Sequence, residues 1–140
     1  MQITLGQLEK ALLALQKAIA IWDRVRAGTD VDLTDTTRSG VIQNFEVAYE
    51  QSWKTLRRWM MHYQGVSDSE IMQRRQLYRL AAKNGLLDDV EAWWGFHEAR
   101  NRTSHTYNPA IALEVADTAR VFAPLCAQLI ETLKAQSDDS

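Results

Sequence analysis

Residues 4–28 read TLGQLEKALLALQKAIAIWDRVRAG, and this stretch decides the fold class. Its apolar side chains recur at steps of three and four residues, which places them on one face of an α-helix. The residues of this stripe are Leu5, Leu8, Leu12, Leu15, Ile19 and Trp22. Thr4 is suited to cap the start of the helix, and Gly28 to end it. The stretch therefore predicts a long amphipathic helix with one buried face.

The remainder of the chain shows the same helical periodicity, with a polar loop expected over residues 29–37. The helices expected after the first one span about residues 35–63, 67–84, 88–107 and 109–134. Asn84-Gly85 is typical of a helix end and Pro109 of a helix start. We therefore predict an all-α, up-and-down bundle of about five helices. It forms one domain over residues 1–136, followed by a frayed polar tail at 137–140.

The composition is that of one globular domain. The chain has 140 residues, of which 46% are apolar and 24% charged, and this balance excludes wholesale disorder. No apolar run approaches the ~20 residues of a membrane span, and no signal peptide is recognisable. A lone Cys126 forms no internal disulfide, so we expect a reduced, cytoplasmic protein without a membrane partner. The net charge of −2 disfavours a general nucleic-acid coat but permits a local basic site.

The stripe of the first helix nearly follows a heptad, which has two interpretations. It can be buried inside the chain's own bundle, or it can form part of a dimer interface. Five tryptophans in so short a chain are more than one small core needs. Because aromatic side chains are enriched in interface cores, some of this surface is a candidate for self-association.

Several classes of catalytic site are absent from the sequence. There is no glycine-rich phosphate loop and no nucleophile elbow. His62, His97 and His105 have no zinc-ligand spacing with each other or with Cys126. We therefore predict no metal and no cofactor. His62 and His97 are interpreted as structural or surface residues.

One polar cluster stands out, and it lies where a helix is expected to end. It reads Arg100-Asn101-Arg102-Thr103-Ser104-His105-Thr106-Tyr107. Arginine offers phosphate a planar, permanently charged fork, and histidine transfers protons near neutral pH. Such a set suits cleavage of RNA, which carries its own nucleophile in the 2′-OH group and needs no metal. The alternative is a solvated helix end with polar caps. Asn101 and His105 share a face on a regular helix, whereas Arg100 and His105 converge only through local unwinding or a second subunit.

Several motifs resemble those of a known family. They are Ile42-Gln43-Asn44-Phe45-Glu46, Tyr49-Glu50, Trp53-Lys54-Thr55-Leu56, Ala81-Ala82-Lys83-Asn84-Gly85-Leu86-Leu87, Trp93, and Arg100-Asn101-Arg102-Thr103-Ser104-His105-Thr106-Tyr107-Asn108. In this order they resemble the HEPN-domain toxins of HEPN/minimal nucleotidyltransferase (type VII) toxin–antitoxin modules, also called nucleotidyltransferase substrate-binding proteins. The resemblance runs from about residue 5 to 134.

The resemblance implies a HEPN-type bundle that forms a homodimer, with two R-x-x-x-x-H motifs meeting in a cleft between subunits. It implies that Arg100 and His105 are catalytic, that Asn101 assists, and that RNA cleavage is metal-independent. It also implies that a cognate minimal nucleotidyltransferase acts as antitoxin by transferring AMP from ATP to Tyr107. An added phosphate beside His105 repels an RNA backbone and competes for Arg100. The alternative is a non-catalytic substrate-binding subunit that docks the same nucleotidyltransferase.

Other polar residues have two interpretations each. Lys54, Arg57, Arg58 and Arg102 are candidate RNA-binding residues, or else solvated helix faces. Glu46 and Glu50 are candidates to orient Arg100 or His105, although an ordinary pairing of Glu50 with Lys54 is an alternative. A structured RNA such as tRNA is our expected target.

Overall fold

The computed structural model describes residues 3–138, which form five α-helices. These are α1 (Gly6–Arg26), α2 (Val31–Tyr63), α3 (Arg74–Lys83), α4 (Val90–Asn101) and α5 (Pro109–Asp138). Two short 3-10 turns, Asp68–Ile71 and Thr103–His105, precede α3 and follow α4. No strand occurs within residues 3–138. The predicted all-α bundle of about five helices is confirmed.

The first two helices begin at different residues from those predicted. α1 starts at Gly6 and has no side-chain cap, so Thr4 does not cap it. α2 starts at Val31 rather than near Asp35, because Asp30 Oδ1 accepts a hydrogen bond of 3.0 Å from the Leu33 amide. The hydroxyl groups of Thr34 and Thr37 donate to carbonyls one turn earlier. Polar residues that resembled a loop are therefore satisfied inside the helix.

The third predicted helix is split into two elements. Ser67 precedes the short 3-10 turn Asp68–Ile71, and α3 begins only at Arg74. The Ser67 amide donates to the Glu70 carboxylate at 2.8 Å, and this bond lowers the pKa of Glu70. The predicted end at Asn84-Gly85 is confirmed, since Gly85 has a φ of +79° and the Leu86 amide donates back to the Ala81 carbonyl.

The stripe of α1 is buried inside the chain's own bundle, mainly against α2. Leu8, Leu12, Leu15 and Trp22 are almost fully buried, and each buried leucine contributes roughly 1.5–3 kcal/mol. At the centre, aromatic rings of α2, α4 and α5 meet edge to face at centroid distances of 5.2–5.8 Å. These rings belong to Phe45, Trp93, Phe96 and Phe122. The core thus fixes α2 against α4, and these two helices carry the candidate site.

The last helix runs back along the bundle and closes it. Asn108 Oδ1 accepts from the Ala110 amide at 2.9 Å and caps the helix that Pro109 opens. Arg120 pairs with Asp23 of α1, Nη1 to Oδ2 2.9 Å. α5 continues to Asp138, beyond the predicted end at Lys134, so residues 137 and 138 of the predicted tail are helical. Residues 139 and 140 of that tail lie outside the described residues.

Candidate active site

The candidate site forms at the end of α4, where the helix changes into a 3-10 turn. The prediction that the fourth helix runs to just before Asn108 is wrong, because α4 ends at Asn101. The Thr103 hydroxyl donates to the Arg100 carbonyl at 2.8 Å, and the Thr106 hydroxyl donates to the Thr103 carbonyl at 3.0 Å. The His105 amide donates to the Arg102 carbonyl at 3.0 Å. These local bonds compete with the helical ladder and unwind the chain at the motif.

Arg100 is half-buried and is held from two directions. Its Nη1 atom donates to Thr103 Oγ1 at 3.2 Å and lies 3.8 Å from Glu46 Oε2. Its Nε atom lies 3.3 Å from Glu50 Oε1, at ion-pair distance but without the alignment of a hydrogen bond. Its Nη2 atom makes no hydrogen bond to the described residues. The guanidinium is therefore oriented on one side and has N–H groups left for a further anion.

Glu50 connects Arg100 to a neighbouring tryptophan and lysine. Its Oε2 atom accepts from Trp53 Nε1 at 3.2 Å and lies 3.7 Å from Lys54 Nζ. Both interpretations of this residue therefore describe real contacts, since one carboxylate serves Arg100 and Lys54 at the same time. Because Glu46 and Glu50 balance the charges of Arg100 and Lys54, these four side chains together are close to neutral.

Buried hydroxyl groups support α2 beneath these contacts. The Tyr49 and Tyr78 hydroxyls lie 2.5 Å apart, and Arg74 Nη1 donates to Tyr49 at 3.3 Å. Burial raises the pKa of both tyrosines. The Arg74 guanidinium also stacks 3.5 Å from the centroid of the Trp53 ring. This network fixes α3 to the segment of α2 that holds Glu50.

His105 and Tyr107 are exposed on the turn. The Tyr107 side chain is 85% exposed, and its ring centroid lies 6.4 Å from that of His105. No hydrogen bond joins His105 to Arg100 within residues 3–138. Local unwinding was one of the two conditions under which Arg100 and His105 could converge, and the chain does unwind here, but the unwinding does not pair these two side chains.

Asn101 does not share a helical face with His105, contrary to the expectation for a regular helix. Its Nδ2 atom lies 3.3 Å from Nε2 of His97, one turn earlier on α4. The His97 ring packs against Trp94 at a centroid distance of 4.8 Å, and burial lowers the pKa of the ring. Asn101 is exposed at the end of this contact.

The candidate RNA-binding residues fall into two places. Lys54, Arg57 and Arg58 line one groove of about 370 Å³ on α2, together with Trp53 and Met61. Arg57 pairs with Asp68, whereas Arg58 has no ion-pair partner in the described part of the chain. Arg102 lies apart from this groove and pairs with Glu114 of α5 at 2.7 Å.

A metal centre and a membrane segment are both missing from the described structure. Among residues 3–138, no group of three or more histidine, cysteine, aspartate or glutamate side chains is placed to hold a metal ion. None of the described helices is long and apolar enough to cross a bilayer.

Two residues that contact the site are not among the site residues predicted from the sequence. Thr103 is buried and both accepts from and donates to Arg100, and its position three residues after the arginine is the signal for this contact. His97 was interpreted as structural or surface, although its spacing of four residues from Asn101 is the spacing of neighbours on a helix.

Comparisons with known proteins agree on one family. The family model for nucleotidyltransferase substrate binding protein-like proteins matches residues 3–135. A probable ribonuclease HepT of Haemophilus influenzae is 30% identical over 118 residues, covering 81% of this chain and 80% of that protein.

Two solved structures share the fold. HI0074 of H. influenzae, described as the substrate binding domain of a nucleotidyltransferase, has a TM-score of 0.81 and 29% identity. It covers 94% of this chain and 99% of its own. A protein of Thermus thermophilus has a TM-score of 0.66 and 26% identity, covering 85% of this chain and 98% of its own.

Proposed function

The chain belongs to the HEPN/minimal nucleotidyltransferase type of nucleotidyltransferase substrate-binding proteins, and on this premise we propose that it is a metal-independent endoribonuclease toxin of the cytoplasm. Its active site consists of Arg100, Asn101 and His105 from each subunit of a homodimer. One observation carries the proposal: the Arg100 guanidinium is oriented by Glu46, Glu50 and Thr103. The turn that follows directly after Arg100 exposes His105. The probable ribonuclease HepT supports the same activity.

The proposed chemistry uses the nucleophile that RNA itself carries. His105 accepts the proton of the 2′-OH group, whose oxygen attacks the adjacent phosphorus. Arg100 binds the phosphate oxygens and stabilises the charge of the pentacoordinate state. His105 of the partner subunit protonates the departing 5′-oxygen. The products are a 2′,3′-cyclic phosphate and a free 5′-OH end, and Asn101 orients the phosphate.

A homodimer is proposed because no hydrogen bond joins Arg100 to His105 within the described residues of one chain. Cleavage of this kind needs a base and an acid on opposite sides of the phosphate, and each chain offers one histidine on the exposed turn. A cleft of about 480 Å³ beside the turn, lined by Glu46, Val47 and Thr106, is continuous with this surface. Val47 is 51% exposed there, as expected for a side chain that a second subunit covers.

The RNA backbone is proposed to follow the α2 groove. Lys54, Arg57 and Arg58 are placed along one face of α2, beginning one turn from Glu50. Arg102, which pairs with Glu114 of α5, is proposed to contact the RNA from outside this groove. A structured RNA such as tRNA is the proposed target.

Tyr107 is proposed to be the regulatory site. The cognate minimal nucleotidyltransferase transfers AMP from ATP to the Tyr107 oxygen, with release of pyrophosphate. The side chain is 85% exposed and so accessible to a second enzyme. After co-expression with that partner, intact-mass spectrometry of the wild type should show an added AMP, whereas Tyr107→Phe should remain unlabelled. Labelling of the phenylalanine variant would contradict this assignment.

The second candidate function is a non-catalytic subunit that binds substrate for the nucleotidyltransferase. The description of HI0074 as a substrate binding domain favours it. It predicts a stable complex with the nucleotidyltransferase and no harm to cells when the protein is expressed alone.

Growth after induced expression distinguishes these functions. We expect arrest with the wild type and with His62→Ala, which alters another exposed histidine, but not with His105→Ala. Co-expression of the nucleotidyltransferase should relieve the arrest. Equal arrest by His105→Ala would contradict its catalytic role, and no arrest by a soluble dimer would favour the binding subunit.

A further inference from the structure

His97 is placed to control the orientation of the Asn101 amide. The two residues lie one turn apart on α4, and Nε2 of the ring is 3.3 Å from the amide of Asn101. The ring cannot easily turn away, because Trp94 packs against it at 4.8 Å and Tyr49 lies at 6.4 Å between centroids. The contact therefore joins a packed ring to an exposed side chain that makes no other hydrogen bond among the described residues.

The buried nitrogen of the ring decides which way the hydrogen bond runs. Nδ1 of His97 is buried and has no hydrogen-bond partner among the described residues. If Nε2 accepted a proton from the amide, the neutral ring would carry its hydrogen on Nδ1, and a buried N–H would be left unpaired. Such groups are rare in folded proteins. If Nε2 carries the hydrogen, no N–H donor of the ring is left unpaired.

Burial and a nearby cation favour the neutral form of the ring. Burial lowers the pKa of His97, and the Arg74 guanidinium of α3 lowers it further as a nearby cation. Glu50 of α2 and Glu98 of α4 act in the opposite direction and more weakly. The hydroxyl of Tyr49 on α2 is the other titratable group beside the ring, and it is neutral at physiological pH because burial raises its pKa.

We propose that His97 is a positioning residue: its Nε2–H donates to Oδ1 of Asn101 and thereby holds the amide NH2 outward. In the structure Nδ2 of Asn101 faces the ring, and a half-turn about the χ2 dihedral of Asn101 places Oδ1 there instead. The proposed hydrogen bond therefore spans the same 3.3 Å contact. The outward NH2 group is a donor pair suited to a phosphate oxygen. Without this hydrogen bond the amide is free to turn its oxygen towards the phosphate, and the two oxygens repel each other. This role rests on the proposed ribonuclease function, whereas the hydrogen bond itself does not.

The tautomer is tested directly by NMR. Long-range ¹H–¹⁵N correlation spectra of the wild-type protein show which ring nitrogen carries the hydrogen, and the His97 signals are those missing in His97→Gln. We expect a neutral ring protonated at Nε2 near pH 7.5. Protonation at Nδ1 would overturn the proposal, whether or not the protein cleaves RNA.

Kinetics test the consequence for catalysis. His97→Phe keeps the ring packing but removes the donor, so kcat on a cleavable RNA should fall about three- to tenfold. His97→Gln places an amide N–H near the position of Nε2 and should recover most of this loss. In an Asn101→Ala background, His97→Phe should have no further effect. A loss that persists in that background would mean that His97 acts only through the stability of α4.

The two possible failures are distinguishable. If the folded wild type cleaves no RNA, the proposed function fails while the NMR result still decides the orientation of Asn101. If the wild type cleaves RNA and His97→Phe, with an unchanged unfolding midpoint, keeps full activity, the positioning role fails alone.

Discussion

Replacing Glu50 with glutamine should lower kcat and tighten RNA binding at the same time. The glutamine keeps the volume of the side chain and an acceptor oxygen for Trp53 Nε1, which donates to Glu50 at 3.2 Å. It removes the negative charge that lies 3.3 Å from Arg100 Nε. Arg100 then loses one of its two carboxylate contacts and retains Glu46 at 3.8 Å.

The expected magnitudes follow from these contacts. Arg100 and Glu50 are each about one-third exposed, so the ion pair contributes at most about 1 kcal/mol to the free energy of unfolding. A similar loss of orientation in the transition state lowers kcat about fivefold. A phosphate bound on the far side of the guanidinium lies roughly 7 Å from the carboxylate, where unit charges repel by about 0.6 kcal/mol in water. Removing that repulsion lowers KM about threefold, and less at high salt.

The assay is initial-rate cleavage of a labelled RNA in EDTA at two salt concentrations, alongside urea denaturation. Glu9→Gln is the matched control, because Glu9 pairs with Lys134 at 3.2 Å and contacts no site residue. The control should leave kcat and KM unchanged. An unchanged kcat in Glu50→Gln would refute the orienting role of Glu50. A rise in KM would refute its position beside the bound phosphate.

Three further predictions concern stability and reactivity. Tyr49→Phe leaves the buried Tyr78 hydroxyl without its 2.5 Å partner and should lower the free energy of unfolding in urea by about 1–3 kcal/mol. The double variant with Tyr78→Phe should recover part of this loss, and no loss in the single variant would contradict the buried hydroxyl pair. The pKa of His97 is lower in the folded protein than in the unfolded chain, so as the pH falls below about 6.5 the unfolded chain takes up a proton at this residue first and the wild type should lose stability. His97→Gln should lose less, and equal slopes of the free energy of unfolding against pH in the two proteins would refute the shift. Burial raises the pKa of the Cys126 thiol to about 12, so a disulfide reagent at pH 8 should label the protein unfolded in urea but not the native protein. Rapid labelling of the native protein would contradict the burial of Cys126.

Signals close together in the sequence predicted most of the fold. The apolar stripe of residues 5–22 repeats with every helical turn, the Asn84-Gly85 pair and Pro109 each mark one helix end, and the elements they predict are present. The start of α2 was not predicted, because Asp30 and the threonines after it are typical of loops until their hydroxyl groups are paired within a helix. Local competition of this kind depends on hydrogen bonds that composition does not reveal.

The candidate site was predicted in part. The polar cluster at residues 100–107 was found from its residue types, and Glu46 and Glu50 were proposed as its supports. The sequence left open whether Glu50 contacts Lys54 or Arg100, because that choice depends on how closely α2 and α4 approach. The approach is set by aromatic packing in the core, and it places Arg100 beside Oε1 of Glu50 while Oε2 remains beside Lys54. The contact of Asn101 with His97 has the four-residue spacing of neighbours on a helix, whereas the loss of a shared face between Asn101 and His105 depends on where α4 ends, which the periodicity did not show.

We propose that this protein cuts RNA through His105 without a metal. The most direct measurement is the end chemistry of RNA incubated in EDTA with the purified wild type, His105→Ala and His62→Ala. We predict 2′,3′-cyclic phosphate and 5′-OH ends with the wild type and with His62→Ala, and intact RNA with a folded His105→Ala. Cleavage that survives His105→Ala, or that requires a divalent metal, would contradict the claim.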